Sequence, residues 1–349
     1  MPPNPFFGVV LHAIGGLAAG SFYVSFRKVT RWAWESYWMI QGVLAWIIMP
    51  FIAAWLTAPR LGEIFSNSPP RAMFLSYLFG ALWGIGGLTF GLSMRYLGIS
   101  LGYAVALGFC AAFGTLIPPL FTGKISTLIS TGSGLTVIAG IVVSLIGIAL
   151  CGYAGICKER ELTDEQKKNS VSEFSLVKGF AVAIFAGVMS ACMAFAISAA
   201  APTAQAALAT GTLPVFQNNP AFILIMAGGF TTNFIWCLIL NLKNKSAADY
   251  FTGGGKLLLT NYIFAGLAGL IWFGQFFFYG MGTTKMGKYD FSSWTIHMAF
   301  IIVFSSLWGL FFREWRGVGR RTFGLVWAGL AVLTLSTIII GIGNYCASH

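Results

Sequence analysis

Few side chains in this chain can hold or pass a proton away from water, and they cluster at the mouths of its apolar segments. Glu35 opens one segment four residues after Arg31, and Asp290 opens another in the run KYDFSSW. His12 and His297 each lie about two helical turns into theirs. A carboxylate at a helix start accepts free backbone N–H groups and complements the helix dipole. At the mouth of a membrane path the same group can bind and release a proton. Both readings stand for Glu35 (cap and partner of Arg31, or proton carrier and gate) and for Asp290 (N-cap, or outer gate beside Lys285, Lys288, Tyr289 and Trp294). A histidine within a membrane is either hydrogen-bonded to a neighbour or a proton relay, since imidazole titrates near neutrality.

A second set is aromatic and amide: Tyr23, Trp38, Gln41, Trp83, Trp272, Gln275, Tyr279 and Trp294. Most Trp and Tyr in such a chain serve packing or the interfacial belts. Aromatic faces with a few directional polar groups are also what a neutral sugar needs, because its C–H faces stack and its hydroxyls require partners. A highly anionic ligand would need deep Arg or Lys, and none is placed there. No carboxylate or cysteine falls at ligand spacing from either histidine, so no metal site is expected, and no cofactor beyond a coupling proton. The six cysteines form no CxxC pair and read as buried free thiols.

The elements that carry these groups follow from composition. With 57% hydrophobic residues, 9% charged and 43 glycines in 349 residues, the chain is an all-α polytopic membrane protein. Ten apolar segments, near 6–26, 34–57, 72–93, 99–121, 135–156, 179–199, 220–241, 257–281, 289–311 and 323–345, match a hydrocarbon core of about 30 Å. The first has no Lys or Arg before it and is expected to be a permanent helix, not a signal peptide. A charged stretch, residues 158–178, reads as a solvated cytoplasmic linker between residues 1–157 and 179–349; the acids in it, Glu161 among them, are given no function. Two five-helix units must insert in opposite senses, which predicts an inverted repeat. Sliding by 171 residues sets Gly8, Gly16 and Ser21 against Gly179, Gly187 and Cys192.

The net charge of +11 is explained by orientation. With the N-terminus outside, 16 Lys and Arg fall on the inner connections and 5 on the outer, so both termini are expected outside and no nucleic-acid partner is implied. The charge-free connection from Ala200 to Asn219 should lie outside and include a short helix. Pro118-Pro119 should stop or kink the fourth helix.

From end to end the chain resembles the L-rhamnose/proton symporters of bacterial inner membranes, within the drug/metabolite transporter superfamily. The residues that carry this are His12 with Ile14-Gly15, FYVSFRKVTRWAWE (Phe22 to Glu35), GALWGIG (Gly80 to Gly86), GLSMRYLG (Gly91 to Gly98) and LIST (Leu128 to Thr131). QFFFY (Gln275 to Tyr279), YDFSSWTIHM (Tyr289 to Met298) and Glu314-Trp315 complete the set. The resemblance implies ten helices in two inverted halves of a multi-pass inner-membrane protein, uptake of a 6-deoxyhexose, and coupling to protons moving inward. Alternating access is the expected mechanism, and the charge bias makes the termini periplasmic. The resemblance also makes Glu35, Asp290, His12, His297 and Gln275 matches to family positions without assigning roles. Gly87, Thr89 and Phe90 stand where asparagines and a tyrosine are expected, and Gln41 replaces a small residue, so the sugar is open. The alternatives are a facilitator or exporter of another small neutral metabolite on the same fold. An enzyme is not expected, since no Ser/His/Asp set, metal motif or lipid-phosphate site is present.

Overall fold

Long apolar runs have one main option in hydrocarbon, because every backbone N–H and C=O must be paired within the segment. The computed structural model, which describes residues 3–97, 99–121, 123, 125–161, 176–313 and 315–348, is accordingly helical, with no strand among those residues. Its long helices are α1 (Pro5–Phe26), α2 (Trp34–Thr57), α3 (Pro70–Leu97), α4 (Ile99–Phe121), α5 (Gly132–Glu161), α6 (Leu176–Ala199), α7 (Asn219–Asn244), α8 (Gly255–Thr283), α9 (Ser293–Phe311) and α10 (Arg320–Ser348). Among the described residues nine helical segments are long and apolar enough to cross a membrane, and α4 adds the shorter apolar stretch Val105–Leu120. Most of the expected linker lies outside the described residues, as do Gly98, Lys124 and Glu314. α5 runs on to Glu161, and α6 begins at Leu176.

Local sequence explains the irregularities. α2 passes through a π-helical turn, Val43–Ile48, where the Met49 N–H reaches back to Leu44 O. Pro50, next in line, has no N–H to give, and a widened turn is a common response to such a gap. Pro118 and Pro119 lie in the last turn of α4, which ends at Phe121. The charge-free connection forms the short helix Ala201–Ala209 and a 3-10 turn, Pro214–Phe216.

α1 packs on α8 and α9, α6 on α3 and α4, α7 on α3 and α2, α8 on α2, and α5 on α10. Glycines let backbones meet: a Cβ on Gly84 would lie 2.8 Å from Gly229 O, and one on Gly20 2.9 Å from Ser305 N. Both termini meet the α8–α9 connection, where Asn4 N–H donates to Lys285 O at 3.0 Å and Gly287 abuts Ser348; we call this end the terminal face. At the opposite end, the linker face, Arg27 stacks 3.8 Å over Phe312 and Glu161 meets the start of α10. Between the two lies a core that includes Trp46, Phe222, Trp272, Phe276, Tyr279 and Trp294.

Candidate functional site

The two histidines that the sequence places on different helices come together. His12 of α1 and His297 of α9 are fully buried with ring centroids 6.2 Å apart, and Tyr279 of α8 touches both, at 5.3 Å and 5.1 Å. Two glycines make the space: a Cβ on Gly282 would lie 2.7 Å from the His12 ring, and one on Gly15 3.2 Å from the His297 ring. The His12 backbone carbonyl faces the His297 ring, yet none of the four ring nitrogens has a partner in hydrogen-bond geometry. Buried polar atoms without partners are rare, and here four stand together.

Immediately above, toward the terminal face, is a cavity of about 350 Å³ with Tyr279 in its lining. Its polar groups are uncharged except one: Ser198, Gln205, Gln217, Asn218, Thr283 and Thr284 share the lining with Asp290. Pro118, Ile197 and Leu208 supply apolar wall. Asn218 is held in place by donating its amide to Gly280 O and Thr283 Oγ1, each at 3.0 Å. Trp294 packs edge-on to Tyr279 at 5.8 Å and donates its indole N–H to Cys110 O at 3.2 Å. It fits only because Gly114 has no side chain there.

Asp290 is exposed and belongs to a 3-10 turn, Gly287–Ser292, ahead of α9. Its carboxylate accepts the N–H of Phe291 at 3.0 Å, while the residue before α9 is Ser292. The expected cap thus sits one short turn early, at the rim of the cavity.

Below the histidines lies a cluster of aromatic rings. Phe276 links the two regions, 6.4 Å from His297 and 5.1 Å from Trp272. Trp272 meets Trp46 at 5.4 Å and Trp83 at 5.6 Å, and Trp46 meets Trp38 at 6.1 Å. Trp38 donates to Asn233 Oδ1 at 3.1 Å. Gln41 is wholly buried on α2 with both amide atoms unpartnered. Gln275 is buried against α1, where its carbonyl abuts Gly15, and does not line the cavity. Tyr23 is about half exposed and packs at a tilt against Phe22, with ring centroids 4.2 Å apart. Of the residues expected to depart from the family pattern, Thr89 turns its hydroxyl back on Ile85 O at 2.9 Å, and Gly87 faces open space.

The linker face is sealed by a polar seam. Glu35, 4% exposed, does not pair with Arg31; its Oε1 accepts from Ser246 Oγ at 2.6 Å and Asn244 Nδ2 at 2.9 Å. Asp249, from the α7–α8 connection, caps α2 in trans: its Oδ2 accepts the Ala33 N–H and the Ser36 hydroxyl, each at 2.7 Å. Asn261 of α8 pairs with both backbone groups of Thr30, at 3.1 Å and 2.8 Å. Glu161 caps α10 through Gly319 N–H and Thr322 Oγ1, both at 2.6 Å, which holds its carboxyl below the usual range.

Sequence reasoning did not single out Phe276, Trp46, Asp249, Asn233 or the amides Gln205, Gln217 and Asn218. Phe276 stood inside the QFFFY run, and the three amides stood in a connection with no charge. Asp249 lay among lysines, where an acid reads as loop. Among the described residues no group of three His, Cys, Asp or Glu side chains is placed to hold a metal ion.

The family described as L-rhamnose-proton symport protein (RhaT) matches residues 3–346 of this chain. The L-rhamnose-proton symporters of Yersinia pestis (strain Pestoides F) and Yersinia pseudotuberculosis (serotype O:1b, strain IP 31758) are each 37% identical to it over 339 residues, covering 96% of this chain and 97% of theirs. The L-rhamnose-proton symporter of Cronobacter sakazakii (strain ATCC BAA-894) is similar to the same degree over the same span. A match across nearly the whole chain, together with relatives of equal length at this identity, makes the chain a member of the L-rhamnose-proton symporter family.

Proposed function

We propose that this chain takes up L-rhamnose, or a related 6-deoxyhexose, together with a proton by alternating access, and that the structure is its outward-open form. The observation that carries the reading is the polar cavity, uncharged apart from Asp290, whose lining includes Tyr279, the ring in contact with both His12 and His297. The amides and hydroxyls of Gln205, Gln217, Asn218 and Thr284 suit sugar hydroxyls, while Ile197, Leu208 and Pro118 suit the 6-methyl group and C–H face. One proton can be held by the two imidazoles; a second would put like charges about 6 Å apart with little screening.

The terminal face is outside in this reading, in agreement with the bias of Lys and Arg, so the termini are periplasmic and the membrane is the bacterial inner one. Ten helices in two inverted halves, 1–157 and 179–349, on the fold of the drug/metabolite transporter superfamily, are supported by the packing. Adding or subtracting five turns α1–α8 into α6–α3, α1–α9 into α6–α4, and α3–α7 into α8–α2, while α5–α10 maps on itself; all of these pairs touch. Inward release then requires the Trp46–Trp83–Trp272–Phe276 plug to part and the Glu35 and Asp249 seam to open. One proton crossing about 100 mV supplies ~2.3 kcal/mol, equivalent to a roughly 50-fold sugar gradient.

The test is external pH in a lightly buffered, de-energised suspension of expressing cells. L-rhamnose should alkalinise the medium, and His12→Gln or His297→Gln should abolish this while leaving exchange of labelled sugar. Loss in Asp290→Asn or Glu35→Gln alone would move the proton to that acid. A response to another sugar only would replace the substrate, as the self-bonded Thr89 hydroxyl allows. No pH response and no labelled uptake with any sugar would refute the reading.

A further inference from the structure

A second cavity, of about 240 Å³, opens at the linker face where α9 turns into α10. Its lining is Leu310, Arg313, Trp315, Arg316, Phe323 and Trp327. Phe323 and Trp327 are one helical turn apart on α10 and are 40% and 48% exposed, so they form one apolar face open to the surroundings. Arg313 and Arg316 both line this opening and belong to one turn, in which the Arg316 N–H donates to Arg313 O at 3.1 Å.

The distribution of cations across the membrane explains why arginines occur on this face, but not this arrangement. Arg313 ends α9 in the left-handed region, at φ 59°, a place where glycine or asparagine would be easier. Among the described residues no carboxylate pairs with either guanidinium, and Glu161, which reaches this corner, is engaged by Gly319 and Thr322. The cavity lies at the junction of two membrane-length helices, hence at a membrane surface. Guanidiniums match phosphate oxygens with paired donors, and an indole beside an apolar slab suits the glycerol and upper acyl region beneath a headgroup.

We propose that this corner between α9 and α10 binds the phosphate headgroup of an anionic phospholipid, with Arg313 and Arg316 on the phosphate and Phe323 and Trp327 along the chain below it. The site is separate from the transport path, and its assignment does not depend on which sugar is carried.

The test uses the full chain purified in a neutral detergent. Phosphatidylglycerol, phosphatidylcholine and glycerol phosphate are titrated separately, with bound lipid counted by native mass spectrometry and the thermal midpoint recorded. Phosphatidylglycerol should be retained and raise the midpoint. Arg313→Gln/Arg316→Gln should weaken that retention about 30-fold, from ~1 kcal/mol per cation and ~1.4 kcal/mol per tenfold. Both side chains are exposed, so the lipid-free midpoint should stay put; Trp327→Leu, which keeps the charges, should weaken retention less. Equal retention of phosphatidylcholine, an equal effect of glycerol phosphate alone, or unchanged phosphatidylglycerol retention in the double variant would each overturn the proposal.

Discussion

Replacing Asp249 by alanine tests whether the linker-face seam is a gate or a permanent joint. The carboxylate accepts two bonds at 2.7 Å, from the Ala33 N–H and the Ser36 hydroxyl, and so acts as the missing N-cap of α2. Loss of an N-cap costs about 1 kcal/mol, up to about 2. If the bonds exist only while the linker face is shut, their loss destabilises the outward-open form alone and moves the inward-to-outward ratio roughly five- to thirty-fold. Cys237 is a natural reporter, since it lies one turn deeper than Asn241 on α7 and is 1% exposed. In inside-out vesicles, its modification by a membrane-impermeant maleimide, followed by peptide mass spectrometry, should accelerate five- to thirty-fold in Asp249→Ala. Asp249→Asn, which keeps an acceptor but not the charge, should fall between. A lowered thermal midpoint with unchanged Cys237 reactivity would show that the bonds persist in both forms, and the gating argument would fail.

Three further outcomes follow from the geometry. Gly282→Ala puts a methyl 2.7 Å from a histidine with no room to move; about 1–3 kcal/mol of overpacking should lower the thermal midpoint and abolish rhamnose-driven alkalinisation, and wild-type uptake would contradict the packing. Asn233→Leu strands the Trp38 indole N–H and should cost about 1–3 kcal/mol, whereas Trp38→Phe/Asn233→Leu, with neither partner left, should regain most of it in the same melt. The Glu161 carboxyl is held down by the Thr322 and Gly319 bonds, so its contribution is present above the unfolded carboxylate range and is lost as pH falls through the lower folded value. The midpoint gap between wild type and Glu161→Gln should therefore be full at pH 7 and shrink below about pH 4; a gap that holds steady under acid would rule out the capping role.

The helices were readable because hydrocarbon leaves an apolar run little choice, and their ends agree with the chain's hydropathy to within a few residues. Depth was readable too: two turns in from the same face put His12 and His297 at one level. Their contact was not, since it depends on Gly282 and Gly15 leaving room for the His12 and His297 rings, and on Tyr279 packing against both. Glu35 illustrates the opposite failure. Four residues from Arg31 it looks like half of a local pair, but α2 starts only at Trp34, and Arg31 sits in a left-handed turn at φ 63°. The carboxylate instead meets Asn244 and Ser246, more than two hundred positions away, a partnership no periodicity encodes. The π turn of α2 was legible in principle from Pro50, but only once the proline is known to lie within one continuous helix.

Trp272, Phe276, Tyr279 and Thr283 follow one another on α8 at intervals of four, three and four. At about 1.5 Å per residue these eleven steps cover ~16 Å, roughly half of the hydrocarbon thickness. They ride on one helix, so the wall of the cavity and the ring cluster beneath it cannot move independently. A tilt of about 10° about Tyr279's end would carry the Trp272 end sideways by ~2 Å, a lever arm needing no relay of side chains between them. Opening toward one side of the membrane and closing toward the other would then be a single mechanical event.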